Sequence, residues 1–159
     1  RGLDGKVNDD TALAELIDRL TTRFGASRVL RFVARDTHDP LRVAAAVPVA
    51  SLAASAEWEL EEGRQRPLQL FNPPQPIEAL AEVPDGPPRR FRWRKVLHDV
   101  AAAEGPERIA PEWWRDGTPD RPRDYYHVED SNGYRFWIFR EGLFEQDGAP
   151  RWFLHGLFA

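Results

Sequence analysis

The sequence contains no cysteine, which excludes disulfides, thiolate nucleophiles and Cys-ligated metal centres together. It also lacks methionine and begins at Arg1. The chain is therefore expected to be a fragment of a longer protein, cut on its N-terminal side, with Phe158-Ala159 as the native end. No apolar run approaches the roughly 20 residues of a membrane-crossing helix, and no signal peptide is expected. Nucleophile elbows, phosphate-binding glycine loops and dinucleotide fingerprints are absent from the sequence. The four histidines, His38, His98, His127 and His155, stand at no metal-ligand spacing, and an isolated strand histidine is ordinarily structural. The expectation is a chain with no metal, no cofactor and no catalytic centre, in the cytoplasm, where cysteine is not needed for stability.

What is present can build a core. Among 159 residues, 42% are hydrophobic, and nine phenylalanines, six tryptophans and three tyrosines supply bulk. That exceeds what a disordered tail carries. A formal net charge of -4 argues against a whole-molecule nucleic-acid binder, which is normally basic, and leaves room for a local basic patch.

Leu13, Leu16, Ile17, Leu20 and Phe24 recur at helical spacing and form one apolar stripe. Asp9, Asp10 and Thr11 are candidate caps at its start, and Gly25 is its stop. A strand over 28–34 follows. The Ala-rich stretch 43–56, interrupted by Pro48, reads either as a linker or as the approach to a second helix capped by Ser51 and ended by Gly63. A boundary is placed there, giving a helix–strand segment over 1–63 and an interaction domain over 64–159. In the second part, prolines at 67, 73, 74, 76, 84, 87 and 88 separate short β-like runs over 68–71, 77–83, 90–96 and 97–103. This is the texture of a small barrel or sandwich. The fold class expected is α+β, with a mostly antiparallel small β-barrel after the helix–strand segment.

The last third, from Asp124 on, reads as an aromatic β-meander. Asn132-Gly133 is a type I′ hairpin signal, which sets Asp130 opposite Arg135, Val128 opposite Trp137 and Tyr126 opposite Phe139. One face then carries Tyr126, Val128, Trp137 and Phe139, and the other Tyr125, His127, Phe136 and Ile138. A second turn is expected at Asp147-Gly148. Two apolar faces require either barrel closure or a partner to cover the second.

Three stretches are candidates for binding. In Arg89–Lys95, strand alternation puts Arg90, Arg92 and Arg94 on one side at roughly 7 Å spacing, near that of phosphates along a single strand. The competing reading is a solvated outer face whose arginine stems cover apolar surface. Gln65, Leu68, Leu70 and Phe71 fit the loose pattern by which extended bacterial peptides dock on the sliding clamp, although the same residues suit a core strand. Trp113 and Trp114 in PEWWRDG cannot both face one core if the backbone is extended, and exposed tryptophan is a typical interface anchor.

GPERIAPEWWR, RDYYHVED, RFWIFREGLF and RWFLHGLFA together resemble the C-terminal region of the ImuB family, the Y-family polymerase-like proteins of bacterial damage-induced mutagenesis. The Leu13–Phe24 helix and THDPLRVA resemble the segment after that family's little-finger region. The resemblance implies a noncatalytic hub, whose partners are an ImuA-like RecA-related protein, an error-prone DnaE-type polymerase and the sliding clamp. It also implies that the family's clamp motif lies upstream of this region. The competing function is a single-stranded nucleic-acid-binding module that uses the arginine stripe.

Overall fold

Antiparallel pairing organises the chain from Gln69 onward into six strands that close on themselves. The computed structural model describes residues 4–51, 65–82, 86–112, 114, 121–142 and 150–159, with the side chains of 4–10 left aside. Two compact units divide the chain, Arg1–Leu60 and Glu61–Ala159, and the fold is α+β as expected.

In the first unit, α1 spans Asp4–Phe24. Asp9, Asp10 and Thr11 are thus not caps but lie within the helix, whose first residue is Asp4. Gly25 follows the last helical residue, and its N–H bonds the Thr21 carbonyl at 2.9 Å. Of the apolar stripe, Leu13, Leu16 and Phe24 stay exposed. A 3-10 turn at Ala26–Arg28 shortens the expected strand to β1, Leu30–Ala34. Its partner β2, Ala44–Pro48, comes from the stretch read as linker or helix approach. Cross-strand pairing overrides the helical preference of alanine there. Asp39 shapes the connection, its Oδ1 accepting the Leu41 N–H at 3.0 Å. The proposed second helix falls mostly outside the described residues.

The barrel strands are β3 Gln69–Ala81, β4 Pro88–Trp93, β5 Val96–Ile109, β6 Arg123–Asp130, β7 Arg135–Glu141 and β8 Arg151–Leu157. Each pairs with the next, and β3 returns to β8 to complete the ring. The runs expected over 68–71 and 77–83 are parts of one strand. Pro73 and Pro74 are absorbed in a register shift between Leu70 and Gln75, since a bulge tolerates the missing N–H; Pro76 is paired with Phe153. β3 then changes neighbour: Gln69–Ile77 pairs with β8 and Glu78–Ala81 with β4. The turn expected at Asp147-Gly148 lies outside the described residues.

The β6–β7 hairpin corrects the expected register by one residue. Gly133, at φ 84°, is the only loop residue with positive φ, so the turn is not type I′. Gly133 N–H bonds the Asp130 carbonyl at 3.0 Å, and Asp130 N–H bonds the Tyr134 carbonyl at 2.9 Å. This is a three-residue loop, a turn followed by a glycine bulge. The Asp130 carboxylate selects it by accepting the Asn132 and Tyr134 amides at 2.9 and 3.0 Å. Asp130 therefore does not face Arg135. The pairs are Glu129 with Arg135, Val128 with Phe136, His127 with Trp137, and Tyr126 with Ile138. A one-residue slip exchanges the faces of a whole strand, so the expected face assignments mix residues that the fold separates. No atom lies within 4 Å of a Cβ built on Gly133, so Gly133→Ala should cost only the left-handed backbone, about 1–2 kcal/mol. Gly133→Asn should cost less; urea denaturation of both variants checks this.

Two cores result. Tyr126, Val128, Phe136, Ile138, Trp152 and Leu154 join Phe91 of β4 inside the ring. Tyr125, Trp137 and Phe139 occupy the outer side of β6 and β7, where Leu70, Ile109, Phe153 and Phe158 pack on them. Ring closure accounts for the first apolar face. The chain's own flanking residues cover the second.

Candidate interaction surfaces of the barrel

The β4–β5 hairpin carries the arginine run. Arg90 and Arg92 both point outward from β4, but Arg94 is not in the strand. Arg94 and Lys95 form the tight turn, at φ 48° and 69°, between the paired residues Trp93 and Val96. Arg94 lies over the Trp93 ring, 4.7 Å from its centroid. Arg90 pairs with Asp99 on β5, and Arg92 with Glu78 on β3 at 3.2 Å. Arg89 pairs with Glu82. The stripe thus comprises two guanidiniums with carboxylate neighbours and one at the tip. These exposed pairs contribute little to stability, but they alter what the surface presents.

Two residues missed in the sequence share this face. Leu80 sits opposite Arg90, which sits opposite Asp99; Arg92 sits opposite both Glu78 and Leu97. Leu80 is 67% exposed and Leu97 49%. A signal for Leu80 was available: Glu78, Leu80 and Glu82 share one strand phase while Ile77, Ala79 and Ala81 share the other.

The segment with the clamp-like pattern is a strap across the outer core. Arg66 makes a bidentate pair with Glu107 at 2.5 and 2.6 Å and lies 5.0 Å from the Trp137 ring centroid. The Gln65 carbonyl is 3.1 Å from His127 Nε2. Pro67 is buried against Gly156, where a Cβ would come within 2.5 Å of its ring. Leu70 and Phe71 pack on the outer and inner cores respectively. Gln65 and Leu68 are exposed, Leu68 by 86%. The strap does not hold the four residues of the motif together as one free peptide. Trp113 lies outside the described residues, while Trp114 is 60% exposed.

Buried ionic groups close both ends of the inner row on β6. At one end Asp124 accepts from Arg140 at 2.7 Å and from Arg108 at 2.7 and 2.9 Å. Burial alone would raise its pKa, but the hydrogen bonds and charges of Arg108 and Arg140 together hold it below the usual carboxylate value. At the other end Asp130 Oδ2 accepts from His98 Nδ1 at 2.8 Å. Burial again opposes the charge, and the His98 bond with the Tyr134 and Asn132 amides more than offsets it, lowering the pKa. His155 is fully buried, its Nδ1 2.9 Å from the Tyr125 hydroxyl, with its ring stacked on Trp137. Among the described residues, no three His, Asp or Glu side chains converge to hold a metal ion, and no helix is long and apolar enough to cross a membrane.

Over 162 aligned residues, 98% of this chain, the sequence is 47% identical to Protein ImuB of Caulobacter vibrioides strain NA1000 / CB15N. It has the same identity and coverage to Protein ImuB of the CB 15 strain of that organism. The chain spans 35%, about a third, of the length of these curated relatives, within their C-terminal region. No family profile and no solved structure matches it.

Proposed function

We propose that this chain, which corresponds to the C-terminal region of ImuB-family proteins, is a noncatalytic protein-docking domain of a DNA-damage-tolerance assembly. One observation carries the reading. Both cores are filled from within the barrel unit, yet Leu68, Leu80 and Leu97 remain on the surface. Leu80 and Leu97 line one groove, and large apolar side chains exposed side by side favour a partner. The partners that fit the family are an ImuA-like RecA-related protein and an error-prone DnaE-type polymerase, with the sliding clamp third.

Pairing of Arg90 with Asp99 and of Arg92 with Glu78 favours protein docking over the single-stranded nucleic-acid reading. A pull-down of the chain against the ImuA-like protein, the polymerase and the clamp, each separately, tests the proposal. Retention by one of the first two is expected, with a shallower salt dependence than strand binding, because apolar contact shares the load with charge. Strand binding through three arginines would instead weaken with a log–log salt slope of about -2. Retention of none of the three overturns the reading.

A further inference from the structure

We infer that the outer face of β3, β4 and the start of β5 docks an acidic segment of a partner protein that carries leucine-like side chains. The inference rests on the docking reading above and names the chemistry of its partner. An open groove of about 230 Å³ runs on this face, lined by Leu80, Leu97, Arg90, Arg92 and Glu78. The two leucines flank the guanidiniums, so apolar contact and charge contact are available within one short stretch of partner. The face is also locally basic. Arg89, Arg90, Arg92, Arg94 and Lys95 are, among the described residues, five cations against three carboxylates, Glu78, Glu82 and Asp99, in a chain of net charge -4. Among the described residues, Arg94 and Lys95 have no carboxylate partner, which leaves the hairpin tip positive.

The same details disfavour a nucleic acid. Asp99 and Glu78 stand beside the guanidiniums and oppose a continuous row of anions along β4. A phosphate backbone must present such a row and a peptide with spaced acids need not, and a phosphate backbone offers nothing apolar to Leu80 and Leu97. A peptide of carboxylates and leucines meets both needs: its acids take the tip and the outward edges of Arg90 and Arg92, and its leucines cover Leu80 and Leu97. Charge complementarity of this kind sets the encounter rate and the register, while apolar burial holds the complex.

Fluorescence anisotropy with the whole chain tests this. The probes are a labelled peptide of glutamates with interspersed leucines, its Leu→Ser counterpart, and an oligo-dT of the same length. The leucine peptide is expected to bind. The Leu80→Thr/Leu97→Thr variant should lose about tenfold or more in affinity, and Arg94→Glu/Lys95→Glu should lose a similar factor, more at low salt. All four positions are exposed, and threonine keeps strand propensity, so unchanged thermal midpoints should accompany the losses. Equal binding of the serine peptide, tighter binding of oligo-dT, or variants that bind like the parent would each overturn the inference. The assembly reading separates cleanly from it. If the peptide binds as expected while none of the three proteins is retained, the surface stands and the named assembly falls. If a protein is retained equally by the Leu80→Thr/Leu97→Thr variant, the surface falls.

Discussion

Replacing Asp124 with alanine is expected to destabilise the barrel by about 3–5 kcal/mol. The carboxylate sits between two arginines on adjacent strands, and Arg140 is as buried as Asp124 itself. Removing the acid takes the Asp124 carboxylate from a buried guanidinium, which lies away from the water that would otherwise solvate it. Arg108 is half exposed and recovers hydration, so its pair adds little to the loss. The cost lies in a buried charge that loses its carboxylate rather than in the strength of the bridge. The double variant Asp124→Leu/Arg140→Met, which removes both charges, should therefore recover most of the stability. Denaturant midpoints at constant m-value measure all of this. A single-variant loss below about 1 kcal/mol would show that the guanidinium finds water or another acceptor.

The same residue gives an acid limb of known sign. Asp124 and Asp130 both have pKa values lowered by folding. Each therefore contributes stability that is fully present above the ordinary carboxylate pKa of about 3.9 and lost as pH falls through the depressed folded value. The barrel should hold its stability between neutral pH and about pH 5 and lose it steeply below about pH 4. The alanine variant should show a shallower acid slope, because one of the two protons taken up on unfolding is gone.

Trp137→Ala is expected to cost about 3–5 kcal/mol as well, although Trp137 lies on the outside of the ring. Trp137 is only 1% exposed. Tyr125 stacks on it with ring centroids 4.2 Å apart, and His155 lies nearly parallel at 5.3 Å. Arg66 covers it from the strap. Its removal would open a cavity that two rings and a guanidinium cannot fill by small shifts. Trp137→Phe, keeping one ring, should cost less than half as much. A loss near zero for the alanine variant would mean that the outer cluster is a veneer, and that the inner core alone holds the barrel. Thermal and denaturant unfolding followed by tyrosine and tryptophan fluorescence distinguish the two.

Much of this architecture was legible beforehand, for physical reasons that also explain the failures. Helical spacing from Leu13 to Phe24 and turn residues between short β-like runs report local geometry, and α1 and the antiparallel barrel follow from them. The β6–β7 register did not, because it is decided by a side chain. Asn132-Gly133 has the dipeptide preference of a two-residue turn, yet the Asp130 carboxylate binds two loop amides and lengthens the loop by one. The same acid also reaches His98, a partner 32 positions earlier, which no local window contains. Arg94 left its stripe because the hairpin needed a tip, and the nearby polar residues were the ones able to form it. The pairing of Arg90 and Arg92 with Asp99 and Glu78 required knowing which strands are neighbours. Leu80 is readable as outward from its strand phase, against the general preference of leucine for a core.

The strap from Gln65 to Phe71 puts a thermodynamic competition at the point where the ring closes. Gln69 and Leu70 pair with Leu157 and Gly156, so an extended peptide cannot be lifted from this stretch without unzipping β3 from β8. A clamp that read these residues as a linear motif would have to release Leu70 from the outer core, Phe71 from the inner core and Arg66 from Glu107. Its binding free energy would be reduced by the work of opening the barrel. Such a ligand would act on this domain as a denaturant does, gaining affinity in step with every mutation that loosens the fold.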